Sequence, residues 1–328
     1  TEDIVGNGER VSVSYKNLPG ELSVGDTILL NNGLVSFDVT AIDGTSIITK
    51  VIAGGDISNR KSMSFPGKVL KQDFLSAQDK ADLLFGIEND VDFVAASFVS
   101  CEDDIRAMRD FLDQNGGKSI DIIAKIENRA GVDNIEEICK VADGIMVARG
   151  DLGVEIPFEE VPAIQKNLIT KCRLLGKRVI TATEMLESMI YNPRPTRAEI
   201  SDVANAVFDG TSAVMLSGET ATGDHPDLVV RVMAKIAEQA EMDAEALGAY
   251  RGIDYENEYR DVTNALCDAA VTTARDLDAD LIIAVTKSGH TARRVSKFRP
   301  KQPIVAATPE KKTFHQLSLS WGVVPVLS

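Results

Sequence analysis

The 328-residue chain is short of the features that commit a protein to a membrane, a disulfide scaffold or a nucleic acid. No apolar run approaches the ~20 residues of a membrane span, and the first residues do not read as a secretory signal. Four cysteines (Cys101, Cys139, Cys172 and Cys267) are scattered without paired spacing. That suits a reduced, cytoplasmic protein better than a disulfide or zinc framework. Positive charge is in deficit, with 35 Lys and Arg against 50 Asp and Glu and a net charge of −15. A nucleic acid or an anionic membrane surface would call for a basic face, so both are excluded as partners. A phosphorylated small molecule is not, because a metal ion and a few cations reverse the field inside a cleft. Histidine is scarce: His225, His290 and His315 are the only three, and none sits at an end of the five strands that recur between Leu75 and Leu216, which speaks against a nucleophilic triad. A Walker A loop is also missing. Gly116-Gly-Lys-Ser119 is a fragment of one, but Leu112 stands where the first glycine belongs, and the stretch reads as a turn.

What is present is an ordinary globular composition, 44% hydrophobic and 26% charged, on a length with room for two or three domains. Residues 1–70 read as all-β. Val11-Ser-Val-Ser-Tyr15 alternates, Thr27-Ile-Leu-Leu30 and Leu34-Val-Ser-Phe-Asp-Val39 flank Asn31-Asn32-Gly33, and Ser46 to Ile52 continues the pattern. Asn-Gly between two such runs signals a hairpin, since both residues tolerate positive φ. The stretch reads as a small β-barrel or sandwich, and Gly6-Asn7-Gly8 as a turn.

From about Leu75 the rhythm becomes strand then helix. Apolar runs recur at Val91–Val99, Ile120–Ile126, Gly144–Ala148, Arg178–Thr183 and Ala213–Leu216, separated by amphipathic segments that close on Gly116, Gly176 and Gly210. Five β-α units with strands buried on both faces imply a parallel sheet with right-handed crossovers. Ser97, Lys125 with Glu127, Gly150 with Asp151, Thr183 with Glu184, and Ser217 with Glu219 fall at successive strand ends. Polar residues on every strand end favour a (β/α)₈ barrel, whose strand ends share one mouth, over an open sheet with a single switch point. Five strands do not close such a barrel, so the missing three are expected before Thr1, and the chain is expected to be cut at both ends. A helix over about 227–247 and a polar stretch around Gly252–Asn257 lead to a second α/β region. There Leu281–Val285 is a strand running into Thr286-Lys-Ser-Gly-His-Thr-Ala-Arg293, a hydroxyl- and glycine-bearing loop at a helix start that suits an anion. The division is 1–70, a β-barrel domain; 71–247, the barrel; 248–328, an α/β domain.

The candidate site is Ile122-Ile-Ala-Lys-Ile-Glu-Asn128 with Gly144-Ile-Met-Val-Ala-Arg-Gly-Asp151. Lys125 and Glu127, two apart on a strand, point to one face while Ile126 packs on the other. Asp151 follows Gly150 where the second strand runs out into a loop. An ammonium beside two carboxylates reads as a magnesium site with a phosphate-binding cation, because magnesium prefers one or two carboxylates plus water and substrate oxygens. A structural salt bridge, or a Schiff-base lysine as in aldolase-type barrels, is the alternative for Lys125. Pro193-Arg-Pro-Thr-Arg-Ala-Glu199 reads as a rigid loop and helix start, with Thr196 as N-cap and Glu199 completing a capping box.

Ala124-Lys-Ile-Glu-Asn128, Asp143-Gly-Ile-Met-Val-Ala-Arg-Gly-Asp-Leu-Gly153, Met185-Leu-Glu-Ser-Met189, Asn192-Pro-Arg-Pro-Thr-Arg-Ala-Glu199, Ser201-Asp-Val-Ala-Asn-Ala-Val207 and Met215-Leu-Ser-Gly-Glu-Thr-Ala221 resemble the motifs of the pyruvate kinases over essentially the whole chain. The resemblance implies a small β-barrel domain inserted in a (β/α)₈ barrel, followed by an α/β domain. It implies phosphoryl transfer from phosphoenolpyruvate to ADP with Mg²⁺ or Mn²⁺ and K⁺, in a cytoplasmic glycolytic enzyme, a homotetramer by family habit. Lys125 would then stabilise the transferring group, Glu127 and Asp151 would bind the metal, and Gly150, Asp151 and Thr183 would meet the substrate. Thr183 would lie near the carbon to be protonated, and Lys16 would match a nucleotide-associated position. Thr286, Lys287, Ser288, Gly289 and Thr291 would match a site for a sugar-phosphate effector. Against the family pattern, the first three barrel strands, with an arginine and the potassium ligands, are absent, and so is the final portion of the α/β domain. Asn31-Asn32 replace Asp-Asp, and Glu184 replaces Gln. An inactive fragment or sugar-phosphate-binding regulator of the same fold is the remaining reading.

Overall fold

A computed structural model describes residues 1–59, 61–248 and 261–328. Three sheets organise it. In the first, β1 (Thr27–Leu30), β2 (Val35–Asp43), β3 (Ser46–Ala53) and β4 (Met63–Ser64) run antiparallel in the order β3-β2-β1-β4. The β1–β2 turn is the Asn31-Asn32-Gly33 segment, with all three residues left-handed at φ 52°, 56° and 80°. Leu18, Leu22, Ile28, Val39 and Phe65 form the buried core of this region. Val11–Tyr15, read above as a strand, is irregular. Its alternation reports which side chains are covered, since Val13 and Tyr15 lean on that core. No neighbouring strand takes up its backbone, and without one an alternating run has no ladder to join.

The second sheet is parallel, with strands β5 (Phe93–Ala96), β6 (Asp121–Ile126), β7 (Gly144–Ala148), β8 (Arg178–Ala182) and β9 (Ala213–Val214) in sequential order. Helices α1 (Ala77–Glu88), α2 (Glu102–Gln114), α3 (Arg129–Asp133), α4 (Ile135–Val141), α5 (Arg149–Glu155), α6 (Val161–Leu175), α7 (Arg197–Asp209), α8 (Gly218–Ala221) and α9 (Pro226–Leu247) connect and follow the strands. Strand alternation sorts the core. Ile122, Ala124, Ile126, Ile145, Val147 and Val179 pack outward against helix residues such as Ile105, Ile138 and Leu168. Ile123, Met146, Ala148, Ile180 and Ala182 pack together on the opposite, inner face. Each fully buried aliphatic side chain contributes about 1.5–3 kcal/mol, so neither face tolerates a one-residue slip. Lys125 falls in the inner-face series. β5 and β9 are the two outer strands, each paired on one side. The capping box stands as expected: Thr196 Oγ1 accepts from the Glu199 N–H, and the Glu199 carboxylate accepts from the Thr196 N–H at 2.7 Å. α6 and α7 end on left-handed Gly176 and Gly210.

The third sheet, β10 (Ile282–Val285), β11 (Ile304–Thr308) and β12 (Val323–Leu327), is also parallel and carries α10 (Val262–Asp276), α11 (His290–Ser296) and α12 (Lys311–Leu317). The polar stretch Gly252–Asn257 lies outside the described residues. α12 docks this region under the amino ends of the barrel strands. Lys312 Nζ donates to the Asp90 and Val91 carbonyls at 2.9 and 2.7 Å and to Asp90 Oδ1 at 2.7 Å. Gln316 Nε2 donates to the Asp92 and Ser119 carbonyls at 3.2 and 2.8 Å. The carboxyl ends of the same strands stay free for chemistry.

Candidate active site

The first half of the site forms where β5 and β6 end. Glu127, one residue past β6, is fully buried, and Lys125 on the inner face meets its Oε1 at 2.7 Å. Lys125 Nζ also donates to Ser97 Oγ at 2.8 Å. The other carboxylate oxygen, Oε2, accepts the Phe98 N–H at 2.6 Å. Phe98 reaches that position only by adopting φ +54°, a conformation costly for a bulky residue and characteristic of sites held by their surroundings. Asn128 ties the two strand exits together, accepting from the Gly131 N–H at 2.8 Å and donating to Ser100 Oγ at 3.0 Å. Glycine is required at 131, because a Cβ there would lie 2.5 Å from the Val99 carbonyl.

Glu127 Oε1 is buried and faces the Lys125 ammonium at 2.7 Å, off the donor angle of a well-aligned hydrogen bond. Burial pushes the Glu127 carboxyl above its usual range; Lys125 and the Phe98 N–H pull it back in part, and Asp151 adds repulsion. A buried carboxylate oxygen without an aligned donor, faced by a second carboxylate, is the arrangement a hard divalent cation relieves. Among the described residues no group of three or more His, Cys, Asp or Glu side chains is placed to hold a metal ion. The two carboxylates suit magnesium, which takes one or two of them and completes its shell with water and substrate oxygens.

The second half forms where β7 and β8 end. Asp151 sits in the first turn of α5, not in a loop; the strand passes directly into helix at Arg149. The Gly150 N–H donates to Thr183 Oγ1 at 2.9 Å, and the hydroxyl in turn donates to the Ala182 carbonyl at 2.7 Å. Thr183 and Glu184 are both left-handed, at φ 69° and 53°. For β-branched Thr183 this is a true outlier. Arg149 holds the strained corner. Its guanidinium donates to the Ala182 carbonyl at 3.2 Å, the Thr183 carbonyl at 2.5 Å and Asp202 Oδ1 at 2.8 Å. α5 also carries the first sheet's contacts to this corner: Val154 would touch a Cβ at Gly33, and Glu155 is faced by Ser64 and the Phe65 N–H.

Lys125, Glu127, Asp151, Gly150 and Thr183 thus stand on three adjacent strand exits. Lys16 does not join them. It is exposed, donating to the Thr1 carbonyl at 2.7 Å and Asp3 Oδ1 at 2.6 Å. The Thr286–Thr291 loop belongs to the third sheet, at the opposite end of the barrel strands. There Thr313 Oγ1 donates to the Lys287 carbonyl at 2.9 Å, Lys287 faces Glu310 at 3.8 Å, and Arg293 donates to the Ser288 carbonyl at 3.0 Å. Gly289 is the left-handed N-cap of the seven-residue α11, whose first turn has no side-chain cap. Two contributors escape a reading by residue type. Phe98 acts through its N–H, which leaves no side-chain signal. Arg149 could have been found as a charge closing a strand whose five residues are all buried.

A pyruvate kinase barrel-domain model matches residues 2–230, and a pyruvate kinase alpha/beta-domain model matches residues 264–328. The chain belongs to the pyruvate kinase family. It is 48% identical to a pyruvate kinase of Clostridium acetobutylicum over its whole length, spanning 69% of that protein. It is 49% identical to one of Bacillus licheniformis, over 98% of this chain and 55% of the relative. A crystal structure of a pyruvate kinase from Cryptosporidium parvum superposes with a TM-score of 0.91 at 41% identity, covering 99% of this chain and 68% of that one. The family's barrel and α/β domain account for the second and third sheets, and the parallel five-stranded sheet is part of its barrel.

Proposed function

We propose that the chain transfers the phosphoryl group of phosphoenolpyruvate to ADP, giving pyruvate and ATP, at the mouth formed by the ends of β5 to β8. The observation that carries this reading is the Lys125–Glu127 pair, a 2.7 Å ion pair on a fully buried carboxylate whose Oε1 lacks an aligned donor. Glu127 and Asp151 would hold Mg²⁺ or Mn²⁺, which when bound supplies charge neutralisation and alignment of substrate oxygens. Potassium, which the family uses, is given no residues of this chain. Lys125 places its ammonium where the phosphoryl group leaves one oxygen for another and offsets the charge carried in transit. The Thr183 hydroxyl, now donating to the Ala182 carbonyl, relays a solvent proton, passing its own to the enolate carbon as the phosphoryl group departs and taking another from water. Gly150 fixes the hydroxyl by its N–H, and the Arg149 fan keeps the corner from relaxing.

A Schiff-base role for Lys125 is disfavoured by its ion pair, since the reaction needs the neutral amine. Pyruvate formation from phosphoenolpyruvate and ADP, assayed with and without Mg²⁺, tests the reading. Activity independent of a divalent cation, or full activity of Lys125→Met, would sink it. By the same family expectation, Thr286, Lys287, Ser288, Gly289 and Thr291 hold the phosphate of a sugar-phosphate effector, and the protein is a cytoplasmic homo-oligomer, a tetramer. Loss of effector response in Ser288→Ala and sedimentation of the purified chain check these two points. No described helix is long and apolar enough to cross a membrane.

A further inference from the structure

The strained corner after β8 is gripped from behind by a side chain that never reaches the mouth. Ile145 and Val147 of β7 pack on the helix side, while Met146 and Ala148 pack on the inner side. Arg149, next in the alternation, falls on the helix side. There it meets α6 through Gln165 and α7 through Asp202, with its side chain only 12% exposed.

All three nitrogens of the guanidinium are in use. Nε donates to the Ala182 carbonyl and Nη2 to the Thr183 carbonyl, while Nη1 donates to Asp202 Oδ1 at 2.8 Å and to Gln165 Oε1 at 3.4 Å. Gly150, the following residue, takes the other side of Thr183, its N–H donating to Oγ1 at 2.9 Å. Two consecutive residues of one strand exit thus fix both the carbonyl and the hydroxyl of Thr183.

Thr183 needs such a grip. Its φ of 69° and the 53° of Glu184 are left-handed, and each such residue costs about 1–3 kcal/mol unless its surroundings hold it there. Relaxation of φ would swing Cβ and carry the hydroxyl with it. What aims the guanidinium is Asp202, since among the described residues it is the one carboxylate within ion-pair distance of Arg149. A charged acceptor also binds more strongly than the neutral amide of Gln165. The phosphoryl-transfer groups draw on none of these contacts. Lys125 is held by Glu127 and Ser97, and Asp151 by its place in the first turn of α5.

Resting on the reading of Thr183 as the proton relay, we propose that Asp202 is a positioning residue for the protonation half of the reaction alone. Through Arg149 it keeps the Thr183 hydroxyl at the carbon to be protonated. In the step it serves, the Thr183 O–H bond breaks and its proton goes to the methylene carbon of enolpyruvate. The C=C electron pair forms the new C–H bond, an oxygen lone pair closes the carbonyl, and the hydroxyl regains a proton from water.

Two rates measured on the full chain with Mg²⁺ separate the halves. One is ATP formation from phosphoenolpyruvate and ADP, which continues when released enolpyruvate ketonises in solution. The other is exchange of pyruvate methyl protons into D₂O with ATP present, followed by NMR, which requires the relay. Asp202→Asn should slow exchange per folded molecule about tenfold and ATP formation less than about threefold, because the acid is displaced and not removed. Arg149→Lys keeps the charge but loses the fork; it should show the same split, and it decides should Asp202→Asn fail to fold. A parallel fall of both rates, the mark of a purely structural role, or an exchange rate equal to the parent's would overturn the proposal. A parent that forms no ATP refutes the phosphoryl-transfer reading instead. If that parent still exchanges pyruvate protons and Asp202→Asn loses the exchange, the positioning role stands; if it exchanges none, both readings fall.

Discussion

The two ends of the parallel sheet are built on opposite terms. At the carboxyl ends the backbone is strained, with Phe98, Thr183 and Glu184 all left-handed, and the charges are few, with Lys125 set against the buried Glu127. At the amino ends the strands begin in regular geometry and the charges are many, buried and capped by carbonyls. One end stores conformational strain where chemistry needs fixed groups; the other stores electrostatic contacts where two layers must hold together. Positions that look alike by burial should therefore respond differently to substitution.

The sharpest test of that contrast is Lys125→Met. Turnover of phosphoenolpyruvate per folded molecule should fall about 10²- to 10³-fold, together with some loss of stability, because the buried Glu127 loses its cation and keeps only its Phe98 donor. Arg178→Ala should cost stability without turnover. It leaves Asp121 without its partner and should cost about 3 kcal/mol or more in urea unfolding, while activity per folded molecule stays within about twofold. If Arg178→Ala instead removed activity at unchanged stability, the division of labour between the two ends would collapse.

Smaller effects refine it. Glu127→Gln keeps an acceptor for the Phe98 N–H but removes the charge, and should weaken the Mg²⁺ requirement constant at least about tenfold. Lys297 supplies a pH test. Its folded pKa, about 8, lies below the ordinary lysine value, so charging it opposes folding. The penalty is full below pH 8 and fades as pH rises from there toward the unfolded pKa. Stability of the parent relative to Lys297→Met should therefore increase across that window; a flat difference would count against a strained cation where the amino strand ends meet the third sheet. Smallest of all, Glu184→Gly should raise stability by a few tenths to about 1 kcal/mol. Its side chain is exposed and its backbone is left-handed.

Much of the fold was legible because burial imposes periodicity. The runs at Ile120–Ile126 and Gly144–Ala148 contain β6 and β7, and Gly176 and Gly210 end α6 and α7 as their lack of a Cβ allows. The Lys125–Glu127 contact followed from strand alternation alone. What escaped depends on partners rather than on residue type. Val11–Tyr15 alternates like a strand but finds no neighbour. Asp151, read as a loop residue, begins a helix, since Gly150 offers no steric reason to stop one. The small pocket where the amino strand ends meet the third sheet draws Arg173, Ser212, Lys297 and Ser320 from segments up to 147 residues apart, and no local pattern brings such residues together. Cys139 and Cys172, without paired spacing in the chain, approach to 3.9 Å between their sulfurs in the packed helices.

The two outer strands of the barrel sheet fix where it can be extended. Among the described residues β5 and β9 are each paired on one side only, and beside β5 lies a cleft of about 740 Å³ lined by Phe74, Leu75, Phe93 and Phe98. A margin of unpaired N–H and C=O groups beside apolar side chains is a template for an extended segment, so any strand that completes this barrel joins along β5 or β9 and takes its register from the same ladder that carries Lys125 and Thr183.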